Sequence, residues 1–373
     1  MKKNPLQQLG TLGQSIWLDY IRRDLIASGE LRRLIEEDGL RGMTSNPAIF
    51  EKAIVESHAY DADIRTLAHA GKNAAAIYEA ISQHDVQNAA DEFRPLYDRT
   101  DGQDGYVSLE VNPHLAHDTH GTMQEAHRLW TDLNRPNVFI KIPATAGGLS
   151  AIQQLISDGI NINVTLIFGL ARYRQVMDAY LSGITTRLNQ GNPVKRVASV
   201  ASFFVSRIDT LVDPLLEKHL APDGKRAGLA KQAHGQVAIA SAKMAYQIYR
   251  DVFGSDRFKT LAAQGARVQR LLWASTGTKN PDYSDVKYVE ALIGPDTVDT
   301  TPLKTFDAYR GHGEPKPRLE HDLQKACRIV EQLPELGISI DKVAQQLEDE
   351  GIEKFTAPFD HLMATLAQPP SAS

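Results

Sequence analysis

Short apolar and β-branched runs recur along the chain, most of them bounded by Gly, Pro, Asn or Asp. The runs at 15–19, 40–45, 105–111, 137–143, 161–168, 196–205, 268–275 and 297–301 predict eight strands. Between them the apolar residues take helical spacing. The stretch 22–38 carries Leu25, Leu31, Leu34 and Ile35 on roughly one face. The stretches 149–157 and 170–189 read as helices, and 206–220 has Ile208, Leu211, Val212 and Leu215 at helical intervals. Strands that alternate with helices pair in parallel through right-handed crossovers, and eight such units favour a closed barrel over an open sheet. The predicted fold is an α/β (β/α)8 TIM barrel spanning 1–314, with helical insertions in the long intervals 51–104 and 208–267. After about Pro315 the strands stop. The stretches 319–333 and 341–366 predict a C-terminal helical extension over 315–367, and the tail 368–373, with two prolines and two serines, is expected to be disordered.

Polar residues inside the runs fall towards their C-terminal ends. The first run ends in Asp19, and the second leads into Thr44, Ser45, Asn46 and Pro47. The third carries Ser108 and Glu110, the fourth Lys141, the fifth Asn163 and Thr165, the sixth Ser202, and the seventh Ser275. Side chains alternate faces along a strand, so Ser108 shares a face with Glu110, Asn163 with Thr165, and Ser202 with Phe204. The opposite faces are apolar: Val107, Leu109 and Val111; Val138, Ile140 and Ile142; Val164 and Leu166. The polar face is then the barrel interior near its C-terminal mouth, where barrel active sites lie. A single short polar residue near a strand end, such as Ser45 or Asn161, reads by itself as a turn residue. Lys141 is different. Flanked by Phe139, Ile140, Ile142 and Pro143, it must be paired, snorkelling or functional, and a purely structural pairing would use Glu110 or Asp19.

Composition narrows the chemistry. Of 373 residues, 42% are hydrophobic and 23% charged, an ordinary globular balance. The net charge of −5 provides no global positive field for nucleic acid or an anionic membrane, so an anionic substrate needs local cations. Arg207, beside Ser206 at the start of the helix after the sixth run, can meet an anion together with the helix N-terminus. Ser275 opens a donor-rich loop that ends in Lys279, a second cation. The single cysteine, Cys327, excludes an internal disulfide and a CxxC metal site and suits a reducing cytoplasm. Residues 1–12 lack an apolar core, so they do not read as a secretory signal. No apolar run approaches the ~20 residues of a membrane span.

A lysine attacks a carbonyl as the neutral amine, which desolvation and neighbouring positive charge favour. Making and hydrolysing the resulting imine requires proton transfers at the carbinolamine oxygen. Glu110 and Thr165, the latter by holding a water, are suitable for this. Asp19 is suited to take a proton from a substrate hydroxyl as a C–C bond breaks. The protonated imine is the electron sink, so no metal and no cofactor is required.

At this point the chain resembles the transaldolase family over essentially the whole barrel. The resemblance rests on MTSNPAIF at 43–50, SLEVNP at 108–113, VFIKIPAT at 138–145, INVTLIF at 162–168, SFFVSRID at 202–209 and LLWAST at 271–276, with GIEKFTAPFDHL at 351–362 similar to the family's tail. The long form is similar to the bacterial stand-alone subgroup. The resemblance implies transfer of a dihydroxyacetone unit between sugar phosphates in the non-oxidative pentose phosphate pathway. The donor would be sedoheptulose 7-phosphate or fructose 6-phosphate. It implies Lys141 as the imine lysine, Asp19 as the acid/base in C–C cleavage, and Glu110 and Thr165 as holders of the catalytic water. Asn46 and Asn163 would bind dihydroxyacetone hydroxyls with Thr44 nearby, Ser202 would lie close to substrate, and Arg207 and Ser275 would bind phosphate. Many transaldolases carry a second arginine shortly after the serine matching Ser275; here Lys279 stands in that region, a point charge without bidentate geometry.

Three alternatives compete with this reading. A fructose 6-phosphate aldolase of the same superfamily tends to carry tyrosine at the position of Phe204 and glutamine at that of Glu110, and this chain carries neither. A metal-dependent aldolase would call on His114, His117, His120 and His127, but i and i+6 positions on a helix point widely apart. A barrel that only binds sugar phosphate would lack Lys141, Asp19 or Glu110. Sugar phosphates are the expected partners, and the pattern leaves monomer and homodimer both open.

Overall fold

In the computed structural model, which describes residues 4–220 and 225–368, all eight predicted runs contain a strand. They are β1 (Gln14–Asp19), β2 (Gly42–Thr44), β3 (Tyr106–Glu110), β4 (Val138–Pro143), β5 (Ile162–Ile167), β6 (Ser199–Phe204), β7 (Arg270–Ala274) and β8 (Thr297–Thr301). Neighbours pair in parallel, and β8 returns to pair with β1, closing the barrel.

Boundaries move where local chemistry intervenes. β2 keeps only three residues, because Asn46 and Pro47 already start the next helix. β6 begins at Ser199 rather than at Arg196, since Val197 N–H donates to the Val194 carbonyl in a preceding turn (2.9 Å). The stretch expected as one helix over 22–38 is two, Arg23–Ala27 and Glu30–Glu37. Gly29 separates them with φ 82°, a left-handed conformation that cannot continue a right-handed helix. The helix expected at 149–157 runs over Ala146–Asp158. Its first turn is capped by Thr145 Oγ1, which accepts from Gly148 N–H at 2.9 Å.

The barrel interior is layered. Near the N-terminal end, Arg270 donates to Asp104 Oδ1 (3.0 Å), Ser15 Oγ (2.6 Å) and the Thr297 carbonyl (3.0 Å). A buried ion pair survives desolvation when extra hydrogen bonds of this kind satisfy it. Above it, the rings of Trp17, Tyr106 and Phe139 pack together, with Tyr106 and Phe139 stacked at 4.2 Å and Trp17 at 6.2 Å from Phe139. Gly42 makes room for them: a Cβ there would lie 2.5 Å from the Trp17 ring. Polar side chains occupy the layer above the rings.

Both insertions are helical, as expected. The first holds Pro47–Val55, Asp61–His69 and the 26-residue Ala74–Arg99. The second holds Ser206–Glu217, Lys225–Ala233, Val237–Phe253 and Asp256–Ala262. After β8 and the helix Leu303–His312 come Leu323–Gln332 and the 27-residue Ile340–Leu366. This last helix is tied to three separate barrel segments through Glu348–Arg172 (3.2 Å), Asp360–His114 (2.7 Å) and His361–Glu51 (2.7 Å). The part of the expected disordered tail at 369–373 lies outside the described residues. Among the described residues no helix is long and apolar enough to cross a membrane.

Candidate active site

The register sets Lys141 opposite Glu110 of β3 on one side and Asn163 of β5 on the other. Lys141 Nζ lies 3.0 Å from Glu110 Oε2 and donates to the Ser45 carbonyl at 3.1 Å. Both side chains are buried, with Lys141 4% and Glu110 6% exposed. The pairing and functional readings of Lys141 therefore meet in one geometry. Glu110 Oε1 is buried without a hydrogen-bond partner. Burial pushes the Glu110 carboxyl above the usual carboxylate range, against the opposing pull of Lys141. That makes Glu110 a competent proton carrier at the amine.

Asp19, at the end of β1, is raised by the same cause, with Lys141 and a hydrogen bond from Thr44 pulling the other way. Thr44 Oγ1 donates to Asp19 Oδ1 at 2.7 Å. The same oxygen lies 2.7 Å from Thr300 Oγ1, and since its proton is given to Asp19, Thr300 is the donor there. Thr300 sits within the β-branched run of β8, and nothing in its local pattern marked it.

The strands on the other side supply amide and hydroxyl groups. Ser202 Oγ donates to Asn163 Oδ1 (2.7 Å), and Asn163 Nδ2 donates to Ser108 Oγ (3.0 Å), which fixes the orientation of the amide. Thr165 Oγ1 is buried with no hydrogen-bond partner among the described residues. The next residue, Leu166, has φ 59°, where β5 breaks register with β6. Asn46 caps the helix Pro47–Val55, its Oδ1 accepting from Ile49 N–H at 3.1 Å.

These groups surround a cavity of about 110 Å³ at the C-terminal mouth. Asp19, Thr44, Asn46, Lys141 and Thr165 line one part, and Ser202, Phe204, Arg207, Ser275 and Lys279 the other. Two of the predicted residues are not in its lining. Asn163 stands behind Ser202, and Glu110 lines a larger cavity of about 500 Å³ between the helices Ala74–Arg99 and Thr119–Leu133. The pattern of polar positions missed Thr300, Pro302, Ala274 and Phe355, which complete the lining.

One end of the cavity is cationic. Burial lowers the pKa of Arg207 and of Lys279, and for Lys279 the neighbouring Arg207 adds to the effect. Among the described residues neither side chain makes an ion pair, and Arg207 Nη1 is buried without a partner. Arg207 follows Ser206 at the start of the helix Ser206–Glu217, and Ser206 Oγ lies 3.0 Å from Ser275 Oγ. Ser275 adopts φ 55°, which turns the loop after β7 towards that helix. Two desolvated cations that make no ion pair among the described residues, two hydroxyls and a helix N-terminus suit an anion such as phosphate.

Phe355 roofs the other end. It reaches over from the helix Ile340–Leu366, its ring centroid 5.2 Å from Lys141 Nζ. Three of the four candidate metal-ligand histidines point to separate partners: His114 to Asp360, His120 to Gln124 and His127 to Asp158.

The model of the family described as Transaldolase/Fructose-6-phosphate aldolase matches residues 16–366. The chain is 47% identical over 371 residues to "Transaldolase 2" of Nostoc sp., covering 98% of this chain and 97% of that one. It is 47% identical over 372 residues to "Transaldolase" of Trichodesmium erythraeum, covering 99% and 98%. A "Transaldolase" of Thiobacillus denitrificans is 44% identical over 363 residues, covering 97% and 99%.

Proposed function

We propose the following course of reaction for this chain, which belongs to the transaldolase/fructose-6-phosphate aldolase family and is an enzyme with transaldolase activity. The donor is sedoheptulose 7-phosphate or fructose 6-phosphate, and the acceptor is an aldose phosphate. Glu110 takes the proton that the Lys141 ammonium must lose. The amine attacks the ketose C2, and Glu110 returns a proton to the carbinolamine oxygen, which leaves as water held by Thr165. Asp19 then removes the proton of the C4 hydroxyl. The C3–C4 bond breaks, its electron pair moves into the protonated imine, and an aldose phosphate departs. The incoming aldose phosphate reverses these steps, with Asp19 now giving its proton to the new alkoxide. Hydrolysis of the imine frees the product.

The remaining residues position the sugar. Thr44, Asn46 and Ser202 hold the hydroxyls of the three-carbon unit, with Asn163 behind Ser202 orienting that hydroxyl, and Arg207, Ser275 and Lys279 hold the phosphate. Phe204 and Glu110 favour transfer over release of free dihydroxyacetone. We assign the chemistry to a barrel domain over 1–314 carrying a helical extension over 315–367, and we place the protein in the cytoplasm, in keeping with its lone cysteine and its sugar phosphate substrates.

The observation that carries this reading is the buried 3.0 Å approach of Lys141 Nζ to Glu110 Oε2, beside a cavity lined by Asp19, Arg207 and Lys279. Borohydride added with fructose 6-phosphate is expected to add covalent mass at Lys141. An adduct on another residue, or none, would defeat the reading.

A further inference from the structure

We propose that Phe355 is a specificity-determining residue that reserves the covalent intermediate for transfer rather than hydrolysis, an inference that rests on the imine chemistry of Lys141 given above. Between departure of the first aldose and arrival of the second, the three-carbon unit stays bound to Lys141. Its loss to water has a defined course. Carbon 3 of the enamine first takes the proton held by Asp19, which restores the protonated imine. A water oxygen then bonds to the imine carbon as the C=N electron pair moves to nitrogen, and one water proton passes to that nitrogen. The C–N bond then breaks with its pair on nitrogen, the hydroxyl proton goes to a carboxylate, and dihydroxyacetone leaves. A transferase must slow this course while the mouth stands open to the next sugar.

The position of Phe355 fits that task. The ring lines the cavity that holds Lys141, is 4% exposed, and has its centroid 5.2 Å from Nζ. It occupies the space from which bulk water would approach the nitrogen, and exclusion of water protects a reactive intermediate. Its face also attracts positive charge, which sits at that nitrogen in the ammonium and again in the protonated imine. Phe204, which packs against Phe168 at 5.0 Å, forms the second aromatic wall. Phe204 comes from the barrel itself, whereas Phe355 comes from the helix after it.

That helix is fixed independently of any substrate. One turn before Phe355, Gly351 lies so close to the irregular end of β5 that a Cβ would stand 2.9 Å from Leu166 Cδ2. Arg172, His114 and Glu51 hold the helix from three other segments. Phe359 packs edge-on against Tyr78 at 5.5 Å. The roof is thus part of the standing architecture.

The test compares Phe355→Ala and Phe355→Leu with the unaltered protein, using fructose 6-phosphate as donor and erythrose 4-phosphate as acceptor. Free dihydroxyacetone is measured against sedoheptulose 7-phosphate formed. In Phe355→Ala the ratio of release to transfer should rise about tenfold, equivalent to ~1.4 kcal/mol of lost discrimination. Borohydride should still add mass at Lys141 in that variant. Phe355→Leu, which keeps an apolar body in place, should fall between the two. An unchanged ratio with trapping intact overturns the assignment. So does a parallel loss of release and transfer at constant ratio, the result of a purely structural role. Should Phe355→Ala fail to give a cooperative melting curve, the ratio in Phe355→Leu decides. Failure of trapping in the unaltered protein would instead strike the imine reading itself.

Discussion

Lys141 Nζ and Glu110 Oε2 stand 3.0 Å apart on adjacent strands, paired directly in the β3–β4 register and withdrawn from solvent. A proton can pass between them without crossing bulk water. Lys141→Ala is expected to abolish turnover and borohydride trapping while the barrel persists. It leaves Glu110 buried without its cation, so the melting temperature should also fall, by an amount set by a penalty of up to ~3–5 kcal/mol for breaking a buried pair. Retained turnover above a background rate would remove Lys141 from the chemistry.

Phe204 lines the same cavity as Lys141 and presents a ring with no polar atom. Phe204→Tyr brings a hydroxyl that can hold a water near the imine. Free dihydroxyacetone should then increase at the expense of transfer, by about tenfold in ratio. Assaying both products from one reaction checks this, and an unchanged partition would deny Phe204 that role.

Lys279 is desolvated beside Arg207 with no ion pair among the described residues. Lys279→Ala should raise KM for phosphorylated acceptors about tenfold or more, in line with the ~1.5–3 kcal/mol of a hydrogen bond to a charged group, and change kcat much less. Non-phosphorylated acceptors should not show the difference. Equal effects on both acceptor types would place the phosphate elsewhere.

Asp299 gives a pH prediction for stability. Its side chain is buried on β8, accepts from Thr276 Oγ1 at 2.9 Å through Oδ1, and leaves Oδ2 without a partner. Burial pushes its pKa up to about 7. Between about pH 4, where the unfolded chain ionises, and pH 7 the folded state holds the extra proton. The contribution of Asp299 is therefore fully favourable at the acid end and is lost as pH rises through that window. Asp299→Asn keeps an acceptor for Thr276 and removes the titration. It should raise the melting temperature more at pH 8 than at pH 5; an equal change at both would show that Asp299 does not carry the proton.

The sequence made the architecture legible because its periodicities are clean. Eight apolar runs stand at the eight strands, and the polar face of β3, β4 and β5 follows from simple alternation through Ser108, Glu110, Lys141, Asn163 and Thr165. The break at Gly29 was less visible, because Leu25, Leu31, Leu34 and Ile35 preserve helical spacing across it while one residue's backbone does not. Within the site, residues whose part is played by the main chain or by a distant segment left no local mark. Ser45 looked like a turn residue, yet it is its carbonyl that accepts from Lys141. Thr300 is one β-branched residue among several in β8, and only closure of the barrel brings it to Thr44. Phe355 lies in a motif near the C-terminal end, and its pattern reads simply as helix. Alternation predicts which face a residue takes, but not which side chains meet once the sheet has closed on itself.

The helix Ile340–Leu366 also bears on how the enzyme comes into being. A chain leaves the ribosome amino end first, and domains form as their parts emerge. β1 waits for β8, since Gln14 and Thr297 are 283 positions apart yet hydrogen-bonded to each other. Even then the amine at Lys141 lacks its cover, because Phe355 has still to be synthesised. On the roles proposed for Lys141 and Phe355, a nascent barrel passes through a stage in which the amine is present but unshielded, and a chain cut short before this helix would lack that cover. On that proposal selectivity arrives last in the order of synthesis, after the groups that line the barrel itself.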